Sequence, residues 1–223
     1  MKNFIFISAC LIIISTCKGK EKNETKDVKI LKTNKELTFD VDTSISDANK
    51  LNTIAVKLLR KSESKFIDKN EKDSTLRLSI FILNKAIKND SNFYIAYINK
   101  AKALRNIGAI NESILVLKKL IKRESYAQGL LFLGLIYEKA GDMDMANDYY
   151  TKALEAYDIK FKSFEGTTMD EINREYVLLL LEGKEKSLKR INEQLKENPD
   201  DQDLIFKKSI IDGFNREEFI ANF

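Results

Sequence analysis

Residues 127–160 read AQGLLFLGLIYEKAGDMDMANDYYTKALEAYDIK. Leu130, Leu133, Gly134 and Tyr137 fall at helical spacing, Gly141 and Asp142 interrupt the pattern, and Ala146, Tyr150, Ala153 and Leu154 resume it. Residues three and four apart share a helix face, so the stretch predicts two helices joined by a tight turn. Gly134 falls in the middle of the first helix, where the missing side chain lets a second helix approach, and Ala146 is the small residue expected to receive that contact. Tyr137 and Tyr150 supply area to the seam, with Leu130 and Tyr137 facing inward. Gly141 ends the first helix in the left-handed conformation that glycine adopts freely.

The pattern recurs. Gly108 stands 33 residues before Gly141, with Tyr97, Ala101, Leu104, Ser113, Leu117, Leu120 and Ile121 in the same relative places. Ser79 stands 34 before Ser113, followed by Leu83, Ala86 and Ile87, and downstream Ser187, Ile191, Leu195 and Pro199 repeat the second helix. A fixed period of this length marks stacked helical hairpins. These offsets resemble the tetratricopeptide repeat over roughly residues 50 to 200. Clear units fall at about 94–126 and 127–160, degenerate ones at about 51–91 and 168–200, and 201–223 forms a cap. Lys100 departs from the family pattern, standing where a large apolar residue is usual, and Asp158 stands where the repeat often ends in proline. The spacing from Ala146 to Ser187 is 41 residues, which places about seven extra residues in Ile159 to Thr167.

The resemblance implies an all-α fold, a short right-handed solenoid of three to four helix-turn-helix units with a C-terminal capping helix. It also implies a concave face, lined by the first helices, that binds an extended peptide or a helix of a protein partner. Transferred by position, that groove includes Ile98, Asn99, Lys102, Arg105 and Asn106, and then Gln128, Leu131, Phe132, Leu135, Glu138 and Lys139. Leu131 and Phe132 are expected on its open side. Leu130 to Tyr137 is apolar all round except at Gly134, so either neighbouring helices cover it or the groove is an exposed patch awaiting a partner or the chain's own tether. Val177 to Leu181 raises the same question.

Two capping patterns mark helix starts, Thr168 with Glu171 and Asn215 with Glu218. The second opens a short final helix whose Phe219, Ile220 and Phe223, with Phe214 just before it, are expected to close the open end of the stack. Leu51 to Ile67 reads as a generic amphipathic helix, and Asp68 to Ser74 as a polar stretch.

Met1 to Thr16 has a positive Lys2, an apolar run from Phe4 to Ile14, and a box Ile14-Ser15-Thr16-Cys17 that resembles a bacterial lipoprotein cleavage site. The run is far shorter than the roughly 20 residues a membrane span needs, so residues 1–16 read as a signal peptide. Ile7 to Cys10 matches the box locally but leaves too short a run, making Cys17 the better lipidation candidate, with acyl chains such as palmitate anchoring the chain to the membrane. Secretion without lipid is the plainer alternative. Residues 17–47 then form a lysine-rich tether, with partial alternation at Glu36 to Asp42 that allows a short strand against a background of disorder. The helical domain occupies 48–223.

Charged residues make up 32% and the chain has only one proline, which suits an all-helical protein. The net charge of +4, or +3 without Lys2, is too small and dispersed for a nucleic-acid footprint. Lys118, Lys119, Lys122 and Arg123 sit where a helix C-terminus favours cations. There is no histidine, so imidazole catalysis and histidine zinc sites are excluded, and no glycine-rich phosphate loop is present. Asp142, Asp144, Asn147 and Asp148 lack the central glycine and terminal glutamate of a calcium loop and suit a helix start instead. No metal or cofactor is expected. The sequence therefore points to a non-enzymatic scaffold or adaptor in the bacterial envelope, similar in plan to tetratricopeptide lipoproteins of outer-membrane protein insertion and pilus assembly. Alternatives are an immunity protein that neutralises a toxin by binding, and a small-ligand or glycan-binding lipoprotein, the latter disfavoured by the absence of tryptophan.

Overall fold

The computed structural model describes residues 28–32, 37–41, 47–122 and 126–223. Cys10, Cys17, the rest of the signal-like segment, much of the tether and Arg123 lie outside the described residues. Strands β1 (Val28–Lys32) and β2 (Leu37–Val41) pair antiparallel, with Val28 opposite Val41 and Lys32 opposite Leu37. Within the alternation noted around Glu36 to Asp42, Leu37–Val41 thus forms a short strand.

Every other regular element among the described residues is helical. One compact unit contains the strand pair with α1 (Ala48–Ser62), α2 (Lys69–Asn89), α3 (Tyr94–Asn106) and α4 (Ile110–Ile121). The other contains α5 (Ala127–Lys139), α6 (Met143–Lys162), α7 (Thr168–Glu182), α8 (Lys184–Glu197), α9 (Gln202–Gly213) and α10 (Arg216–Asn222). Within each unit consecutive helices pack as hairpins, and the first helices of neighbouring hairpins meet: α1 with α3, α5 with α7, α7 with α9. This is the helix-turn-helix stacking of an α-solenoid.

Short polar side chains start many of these helices. Asp47, Asp68, Asp142, Asp201 and Asn215 each accept a hydrogen bond from a first-turn backbone N–H, satisfying donors that the helix itself leaves orphaned. The polar stretch Asp68 to Ser74 is therefore the cap and opening turns of α2. Gly108 and Gly141 end α3 and α5 at φ 84° and 85°. At each, paired bonds close the turn: Gly108 N–H to the Arg105 carbonyl and Ala109 to Leu104, then Gly141 to Glu138 and Asp142 to Tyr137, all at 2.9 Å. Phe164 closes α6 in the same way, at φ 61° without being glycine, and its side chain is 97% exposed. The extra residues expected from Ile159 onward mostly lengthen α6 to 20 residues, against 12 in α4.

The cap of α7 is Thr167, not Thr168. Its hydroxyl accepts from Asp170 N–H at 3.2 Å while the Asp170 carboxylate accepts from Thr167 N–H at 3.0 Å. Lys160, reaching from α6, donates to the same carboxylate at 2.8 Å, which favours this frame over Thr168 with Glu171. Burial alone would raise the Asp170 carboxyl, but the bonds from Lys160 and Thr167 outweigh it and hold the group below its ordinary range.

The small positions predicted on the second helices, Ser79, Ser113, Ala146 and Ser187, are all fully buried. Ser79 Oγ donates to the Ala55 carbonyl at 3.1 Å and Ser113 Oγ to the Ala101 carbonyl at 2.8 Å, so each hydroxyl ties its helix to the backbone of the one it faces. In the α5–α6 hairpin the close approach is tighter still. A β-carbon built on Gly134 would run into the ring of Tyr150, so that ring, rather than Ala146, occupies the space the glycine leaves open. Tyr150 is fully buried, and burying a ring of this size contributes on the order of 2 kcal/mol to the seam.

Candidate functional site

The groove predicted on the first helices is not an open one. In the unit of α1–α4, Ile98, Asn99 and Lys102 are buried, and Arg105 and Asn106 half-buried. Asn99 donates to the Asn52 side chain at 2.8 Å, Lys102 pairs with Glu63 at 2.9 Å, and Arg105 donates to Asn106 at 2.9 Å. Two of these pairs, Asn99 with Asn52 and Lys102 with Glu63, join α3 to α1 and its C-terminal cap.

In the unit of α5–α10, Gln128, Leu131, Phe132 and Leu135 are buried. Leu131 and Leu135 are 0% exposed and Phe132 2%, which corrects the expectation that Leu131 and Phe132 lie on an open side. Tyr137, expected to face inward, is half-buried and stacks on Tyr149 with ring centres 5.5 Å apart. For Phe132 the cover is α10, which sits against α5. The short final helix forms as expected, and its aromatic residues pack onto α5 and α7.

The contact is built from one face of each helix. Arg216, Phe219, Ile220 and Phe223 stand at i, i+3, i+4 and i+7, the spacing by which an amphipathic helix lays anchors into a groove. The other face, Glu217, Glu218, Ala221 and Asn222, is exposed. Phe223 meets Phe132 edge-on at 5.0 Å, and Phe219 stacks on Tyr176 of α7 at 4.9 Å, with Phe214 alongside both. Lys139 donates to the Ala221 carbonyl at 3.1 Å, placing a cation at the C-terminal end of α10 where the helix dipole favours one.

Glu138 is the polar centre of this seat. Its side chain, in the last turn of α5, is only 8% exposed. Arg216 grips it with two bonds, Nε to Oε1 at 2.7 Å and Nη2 to Oε2 at 2.9 Å, and gives Nη1 to the Leu180 carbonyl of α7 at 2.7 Å. Paired bonds of this kind are stronger and more directional than neutral ones. The Tyr150 hydroxyl donates to Oε2 at 2.7 Å, and burial, then that bond, push the phenol far above its ordinary range, so it stays a donor at any pH the fold meets. One carboxylate thus joins the Gly134–Tyr150 seam to α10.

The balance of forces on α10 is close. It has no fully buried residue, and a helix of seven residues is unstable by itself. Each aromatic contact adds roughly 0.5–1.5 kcal/mol and the charged pair a few more at most. Ordering each backbone residue costs roughly 1–2 kcal/mol. The seat has the opposite character, since without an occupant Glu138 would be left without its cation and Phe132 without its cover.

A second concavity of about 500 Å³ lies between α6, α7 and α9, lined by Asp158, Phe161, Lys162, Glu171, Arg174, Glu175 and Lys207. Its charges are largely consumed in pairs, Arg174 with Asp158 at 2.6 Å, Lys207 with Glu171 at 2.6 Å and Arg190 with Glu175 at 2.5 Å. Asp142 caps α6, and Asp148 pairs with Lys152 at 2.5 Å. Among the described residues no group of carboxylates or thiols is arranged to hold a metal ion.

The site is thus a face of stacked helical hairpins that carries the chain's own final helix. Residues 127–158, which are α5 and most of α6, match the model of the tetratricopeptide repeat. That stretch is similar to a tetratricopeptide repeat, a kind of repeat that typically serves protein interaction. No curated protein matches the chain.

Proposed function

We propose that this chain is a non-enzymatic protein-binding scaffold, held by acyl chains on Cys17 in a bacterial envelope, that takes a helix or peptide of a protein partner on the α5–α7 face. The observation that carries the binding reading is the one just described: an amphipathic helix with anchors at i, i+3, i+4 and i+7 already lies on that face, held by Glu138, Phe132 and Tyr176. The anchoring reading rests on the short apolar run and the box ending in Cys17. Several acyl chains, at about 0.8 kcal/mol per buried methylene, make attachment effectively permanent.

Each half has its own test. A photocrosslinking residue at Lys139, beside the seat, captures a discrete envelope protein, whereas the same residue at the exposed Leu115 of α4 does not. No adduct from Lys139, or the same adduct from both positions, refutes the α5–α7 face as the binding surface. Intact mass of the membrane fraction gives a chain beginning at acylated Cys17, and Cys17→Ala releases the protein or blocks its maturation. A native protein that retains residues 1–16 refutes the anchor.

A further inference from the structure

We propose that α10 is a built-in competitor for the α5–α7 seat, and that the partner displacing it is an amphipathic helix with an arginine in its first turn and aromatic side chains three and seven residues further on. The proposal rests on the scaffold reading above and supplies two things it lacks, the chemistry of the ligand and the state of the site before binding.

The ligand chemistry is read from the seat. The Glu138 carboxylate presents both oxygens in the plane that a guanidinium matches, and the Leu180 carbonyl takes a third N–H of the same group. A lysine would fill the charge but not the three directions. Phe132 offers its ring to an edge-on aromatic, and Tyr176 offers a stacking face one turn nearer the arginine. These groups fix both the type and the spacing of the anchors.

The competitor role follows from an asymmetry of burial. With α10 seated, the receiving residues are well buried, Phe132 at 2% and the Glu138 side chain at 8% exposed. The occupant has no buried residue, and its Arg216 side chain is 36% exposed. An integral core helix contributes buried residues of its own, as α7 does with Val177, Leu179 and Leu180. An occupant so weakly held leaves by local opening while the helices beneath it stay folded. An external helix with the same anchors then pays only for the fraction of time the seat is closed.

Two experiments on the full chain test this. In hydrogen exchange of the wild-type protein, amides of residues 217–222 exchange at least about a hundred-fold faster than those of α5 and α7. Equal protection across α10, α5 and α7 overturns the proposal, since α10 would then open only with the whole unit. In fluorescence anisotropy, a labelled synthetic peptide of residues 213–223 binds the variant Arg216→Ala/Phe219→Ala/Phe223→Ala at least about ten-fold more tightly than it binds wild type. Adding Glu138→Gln to that variant, or Arg216→Glu to the peptide, weakens binding by a similar factor.

Equal affinity of wild type and variant, indifference to Glu138→Gln, or a variant that has lost its helical circular dichroism each overturns the proposal, the last because α10 would then be structural. A wild-type dimer in light scattering that the triple substitution abolishes overturns it in favour of α10 exchange between copies. The outcomes remain separable from the scaffold reading: peptide binding in trans without any crosslinked envelope protein would leave the seat standing and remove the partner.

Discussion

Replacing Gly134 by alanine inverts the usual effect of that substitution. In an ordinary helix interior, glycine to alanine stabilises by about 1 kcal/mol, because glycine gives up more chain freedom and alanine is the best helix former. Here the new methyl would overlap two carbons of the Tyr150 ring. The ring cannot swing into solvent, since it is fully buried and its hydroxyl is tied to Glu138 at 2.7 Å. Either α5 and α6 separate or the ring tilts and strains that bond. Overpacking of this kind costs roughly 1–3 kcal/mol, and the overlap with a whole ring places it in the upper part of that range. Subtracting the propensity gain leaves Gly134→Ala less stable by about 1–2 kcal/mol, a fall of roughly 2–8 °C in melting temperature for a chain of this size. Gly213→Ala is the control, because a β-carbon there meets nothing and the backbone is not left-handed. Calorimetry of both variants decides the matter. If Gly134→Ala melts at or above wild type, the close helix approach that organises this hairpin is wrong.

Phe164→Gly should raise stability by about 1 kcal/mol in urea denaturation, since φ 61° penalises a β-carbon and the exposed ring gives nothing back; an unchanged midpoint would remove the left-handed turn. Lys100→Leu should raise the melting temperature at pH 7, because burial and then Lys119 push the Lys100 ammonium below its ordinary 10.5. A lysine so depressed disfavours the fold while it is charged, and that penalty fades as pH rises from the lowered value toward 10.5, so the advantage of leucine should narrow on the alkaline side. A gain constant to pH 10.5 would point to packing alone. For Asp170, whose carboxyl is held below 3.8, the stabilisation is complete above that value and is lost as pH falls through the depressed one. Asp170→Asn should therefore be less stable than wild type at pH 7, with the difference closing in acid; a difference that does not narrow as pH falls would show the aspartate acting by shape and not by charge.

The hairpins were legible because their signals are local. Gly108 and Gly141 could be read as helix ends, and Ser79, Ser113, Ala146 and Ser187 as contact points, because a close helix crossing tolerates only small side chains and the period fixes where it recurs. The turn after α6 was hidden because Phe164 occupies the place that glycine takes in the two earlier turns. The cap of α7 was misplaced by one residue because Thr167-Thr168-Met169-Asp170-Glu171 offers two frames of the same pattern, and only Lys160, from another helix, separates them. Phe132, Glu138 and Lys139 of the seat were placed in the groove by their position in the repeat, but what covers them was not legible. The face of α10 was visible as Arg216, Phe219, Ile220 and Phe223, but its target, Glu138, stands 78 residues away in sequence. Apolar patterning says that a face must be covered and not by what.

The length of α6 shows how such a chain can change over evolutionary time. The step from Ala146 to Ser187 exceeds the 34-residue step from Ser79 to Ser113 by seven residues. Seven residues are close to two whole turns at 3.6 per turn, so a helix lengthened by that amount leaves its end pointing in almost the same direction as before. A change of one or two residues within a hairpin would instead rotate every later contact point, Ser187 included, off its seam. Insertions and deletions should thus accumulate in this lineage as whole-turn quanta at helix ends.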